Sequence, residues 1–338
     1  MDTKTLLAQR LAAGGVALTL PVVEQGLLSD RWRGLVMNQL DKLLVAQIQA
    51  GTDPGRPAKV LQDKIDMMQA LLASFKRALD RKQVSQKVLR GILETALAGY
   101  LRDLQDEGSK AAVERFAEKH EGQRVPGLMV ISPTKTCNLR CEGCYASAGT
   151  SGERLEWDVF DRIVCEAKSL WGMRFFVISG GEPFAYRSQG KDLLDCFTQH
   201  NDCFFMVYTN GTLVGEEVAG RLAEAGNVTP AISVEGFEAR TDRRRGPGVF
   251  QRVLQAMAHL RKAGVIYGIS LTATRDNAEE ILSDAFIDLF FNEHQAVYGW
   301  LFQYMPIGRS YTLDLLVTPQ QRLVHKAGKE RVLAHPVQ

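Results

Sequence analysis

Six short apolar runs alternate with amphipathic stretches after residue 127, and this alternation constrains the fold more than any other feature of the sequence. The apolar runs are Leu128–Ile131, Phe175–Ile178, Cys203–Tyr208, Ala231–Val234, Ile266–Leu271 and Leu301–Tyr304. The amphipathic stretches lie near Glu156–Leu170, Lys191–His200, Glu216–Ala225, Val249–Lys262 and Ala278–Phe291. Continuous apolar runs are typical of strands buried on both faces, and strand–helix repeats are typical of parallel sheets. We expect an α/β fold, either a partial barrel or a doubly wound sheet, with its chemistry at the carboxyl ends of the strands.

The N-terminal third of the chain has a different pattern, because its apolar residues recur at helical spacing without strand-like alternation. Examples are Leu35, Val36, Leu40 and Leu44, then Ile65, Met68, Leu72 and Phe75, then Val88, Leu89, Ile92 and Leu93. We expect an all-helical N-terminal domain over 1–123, a core domain over 124–318 and a short C-terminal helix or tail over 319–338. We interpret the apolar run Leu11–Val23 as a loop or a short docking segment.

Charge and hydropathy limit the function classes. The chain has 41 basic and 39 acidic residues, so its net charge of +2 gives no reason to expect nucleic-acid binding. The sequence contains no apolar run of about 18 residues or more, and Leu11–Val23 lacks a clear cleavage site. We therefore expect a cytoplasmic protein, in which clustered cysteines are more often metal ligands or redox groups than disulfides.

Three cysteines share one loop after the first expected strand. Cys137, Cys141 and Cys144 have the spacing C-x3-C-x2-C. Three thiolates on a four-iron cluster leave one iron with an open position, and thiolates in a short loop suit iron–sulfur ligation. A structural zinc site usually takes four protein ligands, and no fourth cysteine or histidine lies close by. Two alternatives remain: a zinc site whose fourth ligand is a distant histidine, and three cysteines that share this loop by chance.

The other three cysteines are scattered. They are Cys165, Cys196 and Cys203, and we interpret each as a buried small apolar residue.

At the cysteine loop the sequence resembles the radical S-adenosylmethionine (radical SAM) superfamily. The resemblance covers about 125–322, and Tyr145 fills the aromatic position after the last cysteine. The segment Gly180, Gly181, Glu182 and Pro183 is similar to the Gly-Gly-Glu-Pro motif that binds the amino group of the methionine moiety. Two glycines let a backbone approach a ligand closely, and a carboxylate supplies charge for an ammonium.

Later strand ends carry further motifs of the family, which by resemblance line the cofactor pocket. They are Thr209 and Asn210 after the third strand, Ser233 and Glu235 after the fourth, Ser270, Thr272 and Arg275 after the fifth, and Tyr304 and Met305 after the sixth. The resemblance implies that Ser233 and Glu235 contact the ribose or methionine moiety, that Arg275 pairs with the methionine carboxylate, and that the sixth strand end packs on adenine. A plain Asn-Gly turn and a solvated strand end remain as alternatives for the third and fifth motifs.

One basic run, Asp242–Gly246, resembles the Asp-x-x-Arg-Gly segment of the family. We expect this run to be solvated. The alternative is that Arg245 lies near the pocket rim and contacts an anionic substrate.

The resemblance implies a partial (β/α)6 TIM-like barrel that holds a [4Fe–4S] cluster and S-adenosylmethionine. It also implies an external one-electron reductant of the flavodoxin or ferredoxin type. We identify no catalytic residue beyond the cluster ligands, and the substrate stays open between lipid, peptide and small metabolite. A lipid substrate would bring peripheral membrane contact. The helical extension is similar to that of a poorly characterised branch of the superfamily.

Two rival functions are a non-catalytic iron–sulfur or zinc-binding scaffold or regulator, and a simple electron carrier. Many relatives continue into a cysteine-bearing C-terminal region, and no cysteine follows Cys203. We expect either a single-cluster protein or a truncated form of a longer one.

Overall fold

The computed structural model describes residues 20–50, 55–97, 114–123 and 125–324. The chain forms two compact units that divide between Arg81 and Lys82. The described residues of the first unit form three helices, α1 (Leu20–Leu28), α2 (Arg33–Ala50) and α3 (Ala58–Asp80). No helix in these described ranges has the length and apolarity needed to cross a membrane.

A buried arginine ties the three helices of the first unit together. Arg33 donates from Nε to the Leu27 carbonyl over 2.8 Å and from Nη1 to Asp80 Oδ1 over 2.7 Å. A buried guanidinium is stable only when its donors find acceptors, so these contacts fix the ends of α1 and α3.

The run Leu11–Val23, expected as a loop, is helical where the structure describes it. Leu20–Val23 lies in α1, and residues 11–19 lie outside the described residues. Pro21 is compatible with this helix because the first turn does not need its missing N–H group.

Six parallel strands build the second unit. They are β1 (Met129–Ile131), β2 (Phe175–Ile178), β3 (Phe204–Thr209), β4 (Val228–Val234), β5 (Gly268–Ala273) and β6 (Gly299–Gln303). Their spatial order is their chain order. A doubly wound sheet would reverse the strand order at a switch point, so the fold is the curled partial barrel.

Helices accompany the strands. Before β1 stands α4 (Gln86–Ile92), which continues as a π-helical turn over Leu93–Leu97. The remaining helices are α5 (Trp157–Trp171), α6 (Leu193–Gln199), α7 (Glu216–Ala225), α8 (Glu238–Arg245), α9 (Val249–Ala263) and α10 (Asp284–Ile287). Residues 319–324 are also helical, and the rest of the expected C-terminal element lies outside the described residues.

The last expected helix, Ala278–Phe291, is broken into pieces. A 3-10 turn over Glu280–Leu282 precedes α10, and a π-helical turn over Asp288–Glu293 follows it. Ser283 causes the break, because its backbone is extended and its side chain accepts a hydrogen bond from Phe286 N–H, which starts a new helix.

The two faces of the sheet differ. One face packs against the helices and carries the main core, including Phe176, Phe205 and Ile269. The opposite, concave face carries a small apolar cluster of Val177, Met206 and Ala231. Further along this face Ser233 is in register with Ser270, and Thr272 is in register with Phe302. The expected polar face of the fourth and fifth strands is therefore present at one side of the barrel.

The helix α4 belongs to the second unit. Ser85 N–H donates to the Gly264 carbonyl over 2.9 Å, and a Cβ on Gly91 would overlap the backbone of Gly226. Glycine at both 91 and 226 allows this close approach. The compact units therefore divide earlier than the expected boundary after residue 123, and the domain limits given from the sequence remain a prediction.

Candidate functional site

The cysteine loop leaves the carboxyl end of β1 and folds back on itself. Cys137 N–H donates to the Gly149 carbonyl over 2.7 Å, and Leu139 N–H donates to Cys137 Sγ over 3.4 Å. Burial raises the pKa of the Cys137 thiol, and the charges of Cys141 and Cys144 raise it further. The loop therefore brings its three half-buried thiols to one place.

The donor set of the loop favours a cluster over a single zinc ion. The loop offers three half-buried thiols, whereas a structural zinc ion takes four protein ligands. Three thiolates suit a four-iron cluster that keeps one open iron position.

The Gly-Gly-Glu-Pro segment after β2 is tied to the approach of the cysteine loop. Gly181 N–H donates to the Thr134 carbonyl and Glu182 N–H to the Thr136 carbonyl, each over 2.8 Å. Gly180 has φ 109°, and a Cβ on Gly181 would overlap the Thr136 carbonyl oxygen. The glycines are thus needed for the contact between two loops, a role that the sequence did not reveal.

Glu182 is fully buried, and its carboxylate is occupied by the protein. Oε1 accepts from the Thr209 hydroxyl over 2.7 Å and from Phe184 N–H over 3.1 Å, while Oε2 accepts from Asn210 N–H over 2.8 Å. Burial raises the pKa of Glu182 despite these donors. These hydrogen bonds make Glu182 a brace between the ends of β2 and β3, and its contact with an ammonium stays a prediction.

Asn210 links the end of β3 to the cysteine loop. Its Nδ2 lies 3.8 Å from Cys137 Sγ and 2.9 Å from Asn138 Oδ1. Its Oδ1 accepts from the backbone and the hydroxyl of Thr212, so the amide is held in one orientation. The Thr-Asn-Gly segment therefore does more than turn the chain.

The basic run after β4 is solvated only in part, which corrects the expectation of a solvated charge run: Arg243 is 66% exposed, whereas the side chains of Arg244 and Arg245 are 15% and 13% exposed. Glu235 is 1% exposed and accepts from Arg245 Nη2 over 2.5 Å, while Arg244 Nη1 lies 2.6 Å from the same oxygen. Burial alone would lower the pKa of Arg245, but Glu235 and the thiols of Cys141 and Cys137 raise it. Arg245 is therefore a permanent cation beside the cysteine loop, not a free group at a rim.

The C-terminal end of α8 holds the cysteine loop directly. Glu142 N–H donates to the Arg244 carbonyl over 3.0 Å, and Arg244 Nε donates to the Glu142 carbonyl over 3.1 Å. Sequence reasoning missed Arg244, because an arginine within a charge run carries no sign of burial.

The segment after β6 closes the other side of the loop. Tyr304 is buried, and a Cβ on Gly143 would lie 2.9 Å from its ring carbon Cε2. Arg309 N–H donates to the Cys144 carbonyl over 3.0 Å. Met305 is exposed, as is Tyr145, whose hydroxyl shares a 2.8 Å hydrogen bond with Ser179 Oγ.

Arg275 contacts the segment after β6. Its Nε donates to the Leu316 carbonyl over 3.1 Å, and its side chain is exposed. Its pairing with a cofactor carboxylate stays a prediction, and Arg245 is the arginine that lies beside the loop cysteines. The buried Asn277, which sequence reasoning did not select, donates to the carbonyls of Glu235 and Thr272 over 2.9 and 3.0 Å. An Asx-type turn after a strand end was its only signal.

The remaining expected residues fall at the same end of the barrel. Pro183 begins a short 3-10 turn, Thr209 is buried, and Ser233, Ser270 and Thr272 lie on the concave face. Outside the site, Cys196 and Cys203 are buried as expected, whereas Cys165 is exposed and corrects its interpretation as a core residue.

Comparison with known proteins matches residues 131–285 to the Radical SAM superfamily. An AdoMet-dependent heme synthase from Methanosarcina barkeri is 34% identical over 163 residues, which is 46% of this chain and 45% of that protein. The mycofactocin maturase MftC from Mycolicibacterium smegmatis is 33% identical over 174 residues, 50% of this chain and 43% of that protein. The chain spans about half the length of the curated relatives it matches.

Among solved structures, SuiB of Streptococcus suis bound to precursor peptide SuiA superposes with a TM-score of 0.55 at 18% identity, covering 67% of this chain and 50% of that one. This likeness supports the fold alone. Proteins of the Radical SAM superfamily use a [4Fe–4S] cluster and S-adenosylmethionine. The three spaced thiols and the polar strand ends are suited to both groups. Residues 131–285 are a radical SAM domain.

Proposed function

We propose that this protein is a radical SAM enzyme whose cluster is held by Cys137, Cys141 and Cys144. One observation carries the proposal: three half-buried thiols lie in a single loop that the ends of β2, β3 and β6 and the end of α8 all contact. A loop fixed from so many sides suits a cofactor whose orientation decides the reaction.

When bound, the cluster and S-adenosylmethionine supply a one-electron cleavage of the sulfonium carbon–sulfur bond, giving methionine and a 5′-deoxyadenosyl radical that takes a hydrogen atom from the substrate. Arg245 places a positive charge near Cys141 and Cys137, which would offset part of the negative charge of a thiolate-held cluster. Leu139 N–H and the Asn210 amide donate toward Cys137 Sγ and stabilise added negative charge there.

We assign binding of S-adenosylmethionine to the carboxyl end of the barrel. The residues proposed to line it are Tyr145, Gly180, Gly181, Pro183, Thr209, Ser233, Ser270, Thr272, Tyr304 and Met305. Glu182, Asn210 and Glu235 act in this arrangement as positioning groups, because the protein itself occupies their side chains. Arg275 remains the residue proposed for the methionine carboxylate, and Arg245 is a second cation near the loop.

The electron comes from an external carrier of the flavodoxin or ferredoxin type, and the substrate reaches the radical from the concave face. The relatives' names suggest two substrate classes to test first. These are tetrapyrroles, after the heme synthase, and peptides, after the complex of SuiB with a precursor peptide.

The test is anaerobic reconstitution with iron and sulfide, followed by reduction in the presence of S-adenosylmethionine. We expect about four irons per chain and production of 5′-deoxyadenosine. Cys141→Ala should lose both, while Cys196→Ala, which alters a buried cysteine outside the loop, should keep both. A Cys141→Ala protein with a normal cluster and normal product would refute the assignment.

The same experiment separates the rival functions. A non-catalytic scaffold or an electron carrier would hold iron but produce no 5′-deoxyadenosine. A zinc-binding protein would retain about one zinc and no iron at the loop.

A further inference from the structure

A second group of metal-ligand side chains lies at the opposite end of the barrel from the cysteine loop. Asp161 and Cys165 stand one turn apart on α5, and His200 follows α6. His200 precedes β3 by a few residues, so it lies near the amino end of that strand. The cysteine loop follows the carboxyl end of β1, and in parallel strands these ends are on opposite edges of the sheet. The two sites are therefore separate.

The three side chains are already gathered. One donor atom from each, a carboxylate oxygen, a thiol sulfur and a ring nitrogen, lies within 4.8 Å of the other two. His200 Nε2 is 2.9 Å from Asp161 Oδ1. Ligand atoms around one tetrahedral zinc ion are roughly 3.3–3.8 Å apart, given bonds of about 2.0–2.3 Å. To reach that spacing, His200 Nε2 and Asp161 Oδ1 would move slightly apart and Cys165 Sγ would lie within the same range of both.

The surroundings favour a metal ligand at His200. The imidazole is 3% exposed, and its Nε2 faces the carboxylate of Asp161. Lys168 does not bring an uncompensated charge, because its Nζ pairs with Asp202 Oδ1 at 2.7 Å. One carboxylate and one thiolate would balance the two charges of a divalent ion.

We propose that Asp161, Cys165 and His200 form a binding site for a borderline-soft divalent cation of the Zn²⁺ type. Thiolate, imidazole and carboxylate together are the donors that zinc takes, and three protein ligands leave the fourth position to water. Such an ion would join α5 to the end of α6 and stabilise the amino end of the barrel. The competing account is a simple Asp161–His200 hydrogen bond beside a surface thiol.

The experiment uses the full chain with its iron–sulfur cluster in place, so that the loop cysteines are occupied. The protein is incubated with one equivalent of zinc chloride and passed through a desalting column, and its zinc and iron are counted by mass spectrometry. We expect about one zinc beside about four irons. The zinc should also raise the thermal midpoint, because a ligand that binds the native state stabilises it.

Two variants locate the ion. Cys165→Ala, at an exposed helical position, and Asp161→Asn should each lower the retained zinc at least about tenfold while the iron stays unchanged. His259→Gln is the matched control, because His259 faces the carboxylate of Glu216 at 4.0 Å without a thiol. This control should keep its zinc.

Three outcomes would overturn the proposal: no retained zinc in the parent protein, equal zinc in Cys165→Ala, or zinc that disappears only when the three loop cysteines are replaced. Circular dichroism confirms that each variant is folded. Because zinc and iron are counted separately, failure here leaves the proposed radical SAM function untouched.

Discussion

Asn210 holds its side-chain N–H donor 3.8 Å from the sulfur of Cys137, where the end of β3 meets the cysteine loop. The amide is fixed by Asn138 on one side and Thr212 on the other. A donor aimed at a cluster thiolate stabilises the more negative, reduced cluster, and hydrogen bonds of this kind set the potentials of iron–sulfur centres.

Replacing Asn210 with alanine should therefore make the cluster harder to reduce. At a fixed solution potential we expect the ratio of reduced to oxidised cluster to fall about tenfold. This corresponds to a midpoint potential that is lower by about 59 mV for a one-electron couple. A redox titration followed by electron paramagnetic resonance measures this shift. The hydrogen bond from Asn210 N–H to the Glu182 carboxylate does not depend on the Asn210 side chain and should survive. Asn292→Ala, a change in another half-buried asparagine, should leave the potential in place; an unchanged potential in Asn210→Ala would refute this role.

Glu235→Gln should destabilise the fold strongly. The change leaves two buried arginines without their shared carboxylate, and breaking a buried ion pair costs about 3–5 kcal/mol. Asp276→Asn is the matched control, because Asp276 pairs at 3.3 Å with Arg243, whose side chain is 66% exposed. That loss should be below about 1 kcal/mol. Urea unfolding of both variants gives the comparison, and equal midpoints would contradict the burial of the Glu235 cluster.

Gly181→Ala should disrupt the cysteine loop. Its Cβ would overlap the Thr136 carbonyl oxygen, so one of the two backbones has to move. We expect iron after reconstitution to fall from about four to below about one per chain. Gly215→Ala, where nothing lies within 4 Å of the new Cβ, should load iron normally. Normal iron in Gly181→Ala would show that the contact between the loops is dispensable.

The buried Glu182 carboxyl should make stability depend on pH. Burial raises the pKa of Glu182 above its usual 4.5, so the folded protein keeps this proton to a higher pH than the unfolded chain. Its contribution to the unfolding free energy is therefore fully present below pH 4.5 and declines as the pH rises through the folded pKa.

Glu182→Gln should remove that decline. The variant is also less stable overall, by about 1–3 kcal/mol, since an amide cannot accept from all the donors around the carboxylate. The informative measurement is the difference in unfolding free energy between parent and variant from pH 4.5 upward. We expect this difference to shrink as the pH rises, and a constant difference would mean that the pKa of Glu182 is not raised.

Local patterns in the sequence predict the strands and most helices, since apolar periodicity is a property of neighbouring residues. The segment Phe175–Ile178 begins and ends where expected, and so does Glu216–Ala225. The break at Ser283 was missed because the apolar spacing continues across it, while one capping side chain restarts the helix.

The charges of the site were harder to predict. Arg243, Arg244 and Arg245 look alike in the sequence, yet the first is mostly exposed and the other two share Glu235. That division depends on which side of α8 faces the fourth strand end, a tertiary relationship that charge spacing does not encode. For the same reason the position of Arg245 beside the loop cysteines could not be predicted.

The hydrogen bond from Arg309 N–H to the Cys144 carbonyl joins two residues that the ribosome makes at different times. A ribosome that adds about 5–20 residues per second needs roughly 8–33 seconds to make the 165 residues between these positions (309 − 144). Through that interval the three cysteines are already synthesised, but the segment that carries Tyr304 and Arg309 is not yet there to hold their loop. The order of synthesis thus places completion of the cysteine site near the end of barrel folding.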